Sequence, residues 1–140
     1  MKRQVVLSLC GKQHYPGQEA DVIELVTDGT MEFVDGGWNI CYEESELTGL
    51  AGVTTTFRVA PGVVILRRTG KLHSEMIFQE GISHDSLYQM DFGALMITVT
   101  AKQIEADVSE RGGVVDLVYS IEIEHGQAGL VEYHLDIRGK

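Results

Sequence analysis

Arginine stays charged in proteins, so its placement decides where a chain can hold an anion. No aspartate or glutamate stands between Glu46 and Glu75, whereas Arg58, Arg67, Arg68 and Lys71 all fall in that gap. Within it, Ala60-Pro61-Gly62-Val63 has the chemistry of a tight turn, because proline pre-sets φ and glycine is free to take φ > 0. A loop at Pro61-Gly62 pairs Ala60 with Val63, Phe57 with Leu66 and Thr55 with Arg68. Arg58 and Arg67 then share the solvent face. One arginine of the Arg67-Arg68 pair enters the interior, and this register selects Arg68; a one-residue slip would select Arg67. A buried guanidinium demands a partner. Glu44, on the face of Trp38, Ile40 and Tyr42, is the first candidate, and Tyr42 and Tyr88 can add hydrogen bonds. Two roles are open to such an arginine. It can form a structural ion pair that plugs the interior. It can also receive the anionic group of a small ligand, with Met76, Phe78 and Tyr88 lining the apolar part and Thr55 and Phe57 beside it.

Other chemistry is poorly represented. There is no G-x-S-x-G nucleophile elbow, no Walker A loop, no H-E-x-x-H and no C-x-x-C. His14, His73, His84, His125 and His134 are scattered, and no two stand at i,i+2 on one strand, so no metal is expected. Cys10 has no positional tie to any histidine. Glu43 and Glu44 are adjacent, so on a strand they point to opposite faces and cannot share a substrate. Neither an enzyme nor a cofactor is expected.

The elements that would carry these residues are strands. Val, Ile and Thr total 34 residues against 19 for Ala and Leu, and β-branched side chains favour the pleated surface. Glycines at Gly36-Gly37, Gly49, Gly62, Gly70, Gly81, Gly93, Gly112-Gly113 and Gly126 punctuate the chain every eight to nineteen residues. Period-two alternation between them predicts strands at Arg3–Cys10, Asp21–Val34 (with Gly29 as a bulge or bend), Trp38–Glu44, Val53–Ala60, Val63–Thr69, Ser74–Glu80, Ser86–Phe92, Ala94–Val108 (bent near Lys102), Val114–Glu124 and Leu130–Arg138. Gly11–Ala20 is left as an open loop or a short helix. Hairpin connectivity and the need to remove sticky edges point to an all-β, antiparallel up-and-down barrel of eight to ten strands.

At 140 residues the chain makes one domain, residues 1–140, and its 44% hydrophobic and 23% charged content excludes disorder. A net charge of −10 opposes nucleic acid and anionic membrane. An outer-membrane barrel is not expected, since charges recur on the faces that would meet lipid. Met1-Lys2-Arg3 followed by Val5-Val6-Leu7-Ser8-Leu9-Cys10 imitates an export signal, but Gly11-Lys12 breaks the apolar run. A lipoprotein site would need a small residue before Cys10, and Leu9 is large. The expectation is therefore a cytoplasmic protein with free thiols at Cys10 and Cys41.

The inward faces carry bulky side chains. They include Trp38, Ile40 and Tyr42; Val53, Thr55, Phe57 and Val59; Met76 and Phe78; Tyr88, Met90 and Phe92; Leu95, Ile97 and Val99; Val115 through Ile123 in alternation with Tyr119; and Val131, Tyr133, Leu135 and Ile137. Such a barrel tends to fill itself, which argues against a spacious cavity.

The order Tyr42-Glu43-Glu44, Thr54-Thr55-Thr56, Arg68-Thr69-Gly70, Met76-x-Phe78, Gly81, Tyr88-x-Met90-x-Phe92-Gly93, Thr100-x-x-x-Ile104 and Tyr119 resembles a bacterial family of lipocalin-like barrels, the YwiB-like family. The resemblance runs from Asp21 to Ile123. It implies a calycin-type barrel in a cytoplasmic bacterial protein and brings no activity with it. Tyr42, Glu44, Arg68, Tyr88 and Gly93 match the family pattern. Where that pattern has a hydroxyl residue in the Tyr88 strand, this chain has Met90-Asp91. Two functions from different classes fit: a binder of a small, partly apolar, anionic ligand, and a filled barrel acting as an interaction module or homodimer, with Val63 and Ile65 facing outward.

Overall fold

The structure is a computed structural model and describes residues 2–45, 50–90, 93–124 and 126–140. Glu46, Asp91, Phe92 and His125, named above, lie outside the described residues, as does the side chain of Met90. Ten strands follow one another: β1 (Arg3–His14), β2 (Asp21–Val34), β3 (Gly37–Glu43), β4 (Val53–Ala60), β5 (Val63–Gly70), β6 (Ser74–Phe78), β7 (Ser83–Met90), β8 (Gly93–Ser109), β9 (Gly112–Ile123) and β10 (Gly126–Gly139). They form one antiparallel sheet in the order β6-β5-β4-β3-β2-β1-β10-β9-β8-β7.

The register of the Pro61-Gly62 hairpin is the one the turn chemistry requires. Ala60 pairs with Val63, Phe57 with Leu66 and Thr55 with Arg68, and Gly62 takes φ 76°. Two expectations change. The segment after Cys10 is an open loop only from Tyr15 to Ala20: β1 continues through Gly11 to His14, because β10 flanks it on one side and β2 pairs with it as far as Gln13 on the other. Gly29 is not a bulge either, since the β1–β2 ladder passes through it without a slip. A Cβ there would lie 2.6 Å from the Cys41 carbonyl oxygen and 2.7 Å from Leu7 Cδ1, so close approach explains the glycine. The bend expected near Lys102 is a register shift between Ala101 and Gln103.

The barrel is nearly closed rather than closed. β6 and β7 are consecutive in the chain and form the two ends of the strand order. They meet through backbone hydrogen bonds in both directions between His73 and Gln89, at 2.9 and 2.8 Å, and through Ile82 N–H to the Gln79 carbonyl at 3.0 Å. His84 Nε2 also lies 2.7 Å from Gln79 Oε1. The two bridges differ in register by one residue, so no single ladder can join them. Among the described residues a seam therefore runs between β6 and β7. Backbone amides facing the seam in Ser74–Phe78 and Ser83–Tyr88 should exchange with deuterium faster than those shared by β1 and β10. Equal protection in the two regions would mean that the seam is paired in solution.

One half of the interior is solid. Leu7, Met31, Ile40, Phe57, Leu66, Phe78, Leu117 and Leu135 are all buried from solvent. Trp38, expected inside, is half-buried and meets Phe33 edge to face, with ring centroids 5.0 Å apart. Val63 and Ile65 are half-buried; Val22 and Val26 stand out on the exterior of β2, whereas Phe33 shares the face of Met31 and is exposed at the barrel end beside Trp38.

Candidate functional site

The other half of the interior holds a cavity of about 390 Å³. Along its polar side runs a row of residues directly opposite one another on successive strands, of which Tyr42 and Arg68 reach the cavity lining. Tyr42 on β3 faces Thr55 on β4, Thr55 faces Arg68 on β5, and Arg68 faces Ser74 on β6. Alternation turns this whole row inward because each member is paired in register with the next. Tyr88 on β7 stands beyond the seam, and the His73–Gln89 bridge sets it level with Ser74. Apolar lining comes largely from the strands on the far side, including Leu9, Leu25, Leu95, Ile97, Ile121 and Val131.

All five tyrosines of the chain, Tyr15, Tyr42, Tyr88, Tyr119 and Tyr133, line this one cavity. A phenol inside a barrel needs a hydrogen-bonding environment that phenylalanine does not. Burial pushes the Tyr42 hydroxyl far above the usual phenol range, and the nearby Tyr133 and Glu44 push it further, against a smaller opposing pull from Arg68. Tyr119 and Tyr133 are also raised, again chiefly by burial, with Arg68 acting in the other direction. These three phenols are therefore neutral hydrogen-bonding groups at neutral pH. Gly11, opposite Tyr133 on β1, borders its ring, and an added Cβ would meet the nearest ring carbon at an ordinary contact distance of 3.6 Å.

Arg68 is the single cation lining the cavity among the described residues. Its side chain is 16% exposed and that of Glu44 is 2% exposed, and Arg68 Nε lies 4.0 Å from Glu44 Oε2. The same carboxylate oxygen accepts a 2.5 Å hydrogen bond from the Thr55 hydroxyl. At 4.0 Å the ion pair is a contact of charges rather than a hydrogen bond. Arg68 Nε is buried and has no hydrogen-bond partner among the described residues, and the same holds for Ser74 Oγ and Ser86 Oγ. Buried polar atoms are nearly always satisfied, so an unsatisfied Arg68 Nε in the cavity lining, with an unsatisfied Ser74 directly across the strand pair, is informative.

Five of the residues singled out from sequence line the cavity: Tyr42, Glu44, Arg68, Met76 and Tyr88. Thr55 is fully buried beneath Glu44 and holds its carboxylate. Phe57 and Phe78 do not line the cavity but form its floor. Their rings pack on Tyr133 and Tyr119 with centroids 5.5 and 4.6 Å apart. Sequence reasoning missed Tyr15 and Ser74, and it placed Tyr119 and Tyr133 inward without giving them a role. The available signal was the choice of tyrosine over phenylalanine at inward positions.

Outside the cavity, Cys10 sits directly opposite His134, a neighbour that spacing along the chain does not indicate. His134 in turn bonds Asp116 on β9. Both cysteines are free and half-buried. Among the described residues no three His, Cys, Asp or Glu side chains come together as a metal site. A groove of about 430 Å³ at the opposite end, between Trp38, the Pro61-Gly62 turn and Val108, has Glu80 as its one charged lining residue.

Fold and cavity together define a ten-stranded, up-and-down antiparallel barrel, solid at one end and hollow at the other. The family model for a domain of unknown function, DUF1934, matches residues 7–137, and the chain belongs to that family. The uncharacterized beta-barrel protein YwiB of Bacillus subtilis (strain 168) is 30% identical over 110 residues, which is 79% of this chain and 76% of that relative. The crystal structure of the ywiB protein from Bacillus subtilis shares the fold, with a TM-score of 0.89 at 24% identity over 99% of this chain and 93% of that one.

Proposed function

We propose that this barrel binds a small, partly apolar molecule in the tyrosine-lined cavity, with an anionic group of the ligand at Arg68. The observation that carries the reading is a buried arginine Nε with no acceptor, set in a cavity of about 390 Å³. That volume is within the range of small-molecule sites, which pair an apolar lining with a few placed polar groups. In this reading the chain is a binder rather than an enzyme, needs no cofactor and works in the cytoplasm.

A second reading, an interaction module that pairs with another copy, draws on the outer face of β2, where Val26 is 69% and Val22 52% exposed. Native mass spectrometry of protein purified from its own host separates the two. The expected spectrum holds a retained small molecule, which is lost in Arg68→Met while circular dichroism still shows the barrel. A clean apo oligomer overturns the ligand reading and favours the interaction module.

A further inference from the structure

We propose that the group received at Arg68 is a monoanionic carboxylate, bound between Arg68 and Ser74, and that the site selects against phosphate. This rests on the preceding reading of the cavity as a ligand site and adds the chemical class of the ligand.

The first argument is the pair of unused donors. Arg68 and Ser74 are directly opposite on β5 and β6. Ser74 is 6% exposed, and both its Oγ and Arg68 Nε are buried without a partner. Cross-strand neighbours of this kind have Cβ atoms roughly 5 Å apart. Ser74 is not itself on the cavity wall, but it is the direct cross-strand neighbour of Arg68, which is. An acceptor that penetrates to the buried Nε therefore arrives at the depth of the serine hydroxyl as well. Two adjacent donors match the two oxygens of a carboxylate. The neutral phenols of Tyr42, Tyr119 and Tyr133 add hydrogen-bonding capacity without adding charge.

The second argument is the charge inventory. Among the described residues the cavity lining holds one cation, Arg68, and one carboxylate, Glu44, which is almost wholly buried 4.0 Å from it. The pair is neutral before a ligand arrives. A carboxylate leaves the site with one uncompensated negative charge, and a phosphate dianion leaves it with two. In a largely desolvated site, like-charge repulsion from Glu44 grows with each added charge. The structure thus offers donors for an anion and a penalty against a second charge. The apolar body of the ligand then lies along Leu95, Ile97 and Ile121.

Isothermal titration calorimetry of the full chain with decanoate, decanol and decyl phosphate at neutral pH tests this. The shared tail isolates the head group. Decanoate is expected to bind about tenfold or more tightly than either of the others, the scale of one charge-assisted hydrogen bond. Ser74→Ala should weaken decanoate several-fold and leave decanol unchanged, and Arg68→Gln should bring decanoate down to decanol. Decanol or decyl phosphate binding as well as decanoate overturns the carboxylate assignment while the cavity remains a ligand site. Decanoate affinity unchanged in either variant also overturns it. If none of the three binds, the cavity reading itself fails. Should a variant not fold, the comparison of the three head groups on the native chain decides alone.

Discussion

Raising the pH above about 10 is expected to unfold the barrel steeply. Tyr42, Tyr119 and Tyr133 all have phenols raised above their ordinary value, mainly because burial penalises the phenolate. Below the unfolded value, near 10, both states keep these protons and stability does not depend on them. Above it, the unfolded chain releases protons that the folded barrel retains. The unfolded state then binds fewer protons than the native one, and stability falls as pH rises. Each group contributes a slope of about 1.4 kcal/mol per pH unit, so the three together give roughly 4 kcal/mol per unit. Such a slope exhausts a typical domain stability within a few pH units. Urea unfolding at several alkaline pH values gives the slope, and phenolate absorbance followed in parallel shows when the groups ionise. Tyr119→Phe should reduce the slope by about a third. Three buried phenols that ionise in an intact barrel would contradict the burial described for the cavity.

The second large effect is in the floor. Phe57 is fully buried, is paired between Ile40 and Leu66, and carries the Tyr133 ring 5.5 Å away. Phe57→Ala is expected to cost about 3–5 kcal/mol, from lost transfer energy and from the void that remains. Val26→Ala is the surface control, because Val26 is 69% exposed and such surface changes cost within about 0.5 kcal/mol away from special features. Chemical denaturation of the two variants against the native chain measures the difference. A Phe57→Ala cost near that of Val26→Ala would mean that the solid half of the barrel is loosely packed. The void would lie beneath the cavity, so the same variant should admit longer apolar tails.

Much of this architecture could be read from residue types. Pro61-Gly62 defines a two-residue turn, and a two-residue turn leaves one register, so Thr55 opposite Arg68 was legible before any coordinates. Inward placement of Tyr42, Glu44 and Arg68 followed from alternation alone. The extension of β1 to His14 was not legible, because Gly11-Lys12-Gln13 has neither β-branched residues nor alternation, and its pairing comes from β2 and β10. Gly29 looked like a bulge because a strand glycine often marks one, but the close approach of Cys41 and Leu7 is a tertiary fact. The β6–β7 seam depends on a one-residue mismatch between distant bridges, which no local pattern encodes. Alternation also says which side chains point inward, but not at what level the barrel's stagger places them. That is why Phe57 and Phe78 belong to the floor while Tyr88 lines the cavity.

The pairing of β1 with β10 has a consequence for synthesis. A ribosome delivers β1 early and β10 last, and β1 can satisfy only its β2 side until then. The emerging chain is an open ribbon whose earliest strand presents an unpaired edge, the kind of edge that recruits other chains. Contacts so far apart in sequence also make the closing step slow relative to the hairpins. The cavity shares this delay, because Val131 and Tyr133 on β10 complete its wall. The cavity is therefore complete only once β10 has docked, and a molecule of the kind proposed above, bridging β5 and β10, would fasten that strand to the body already formed.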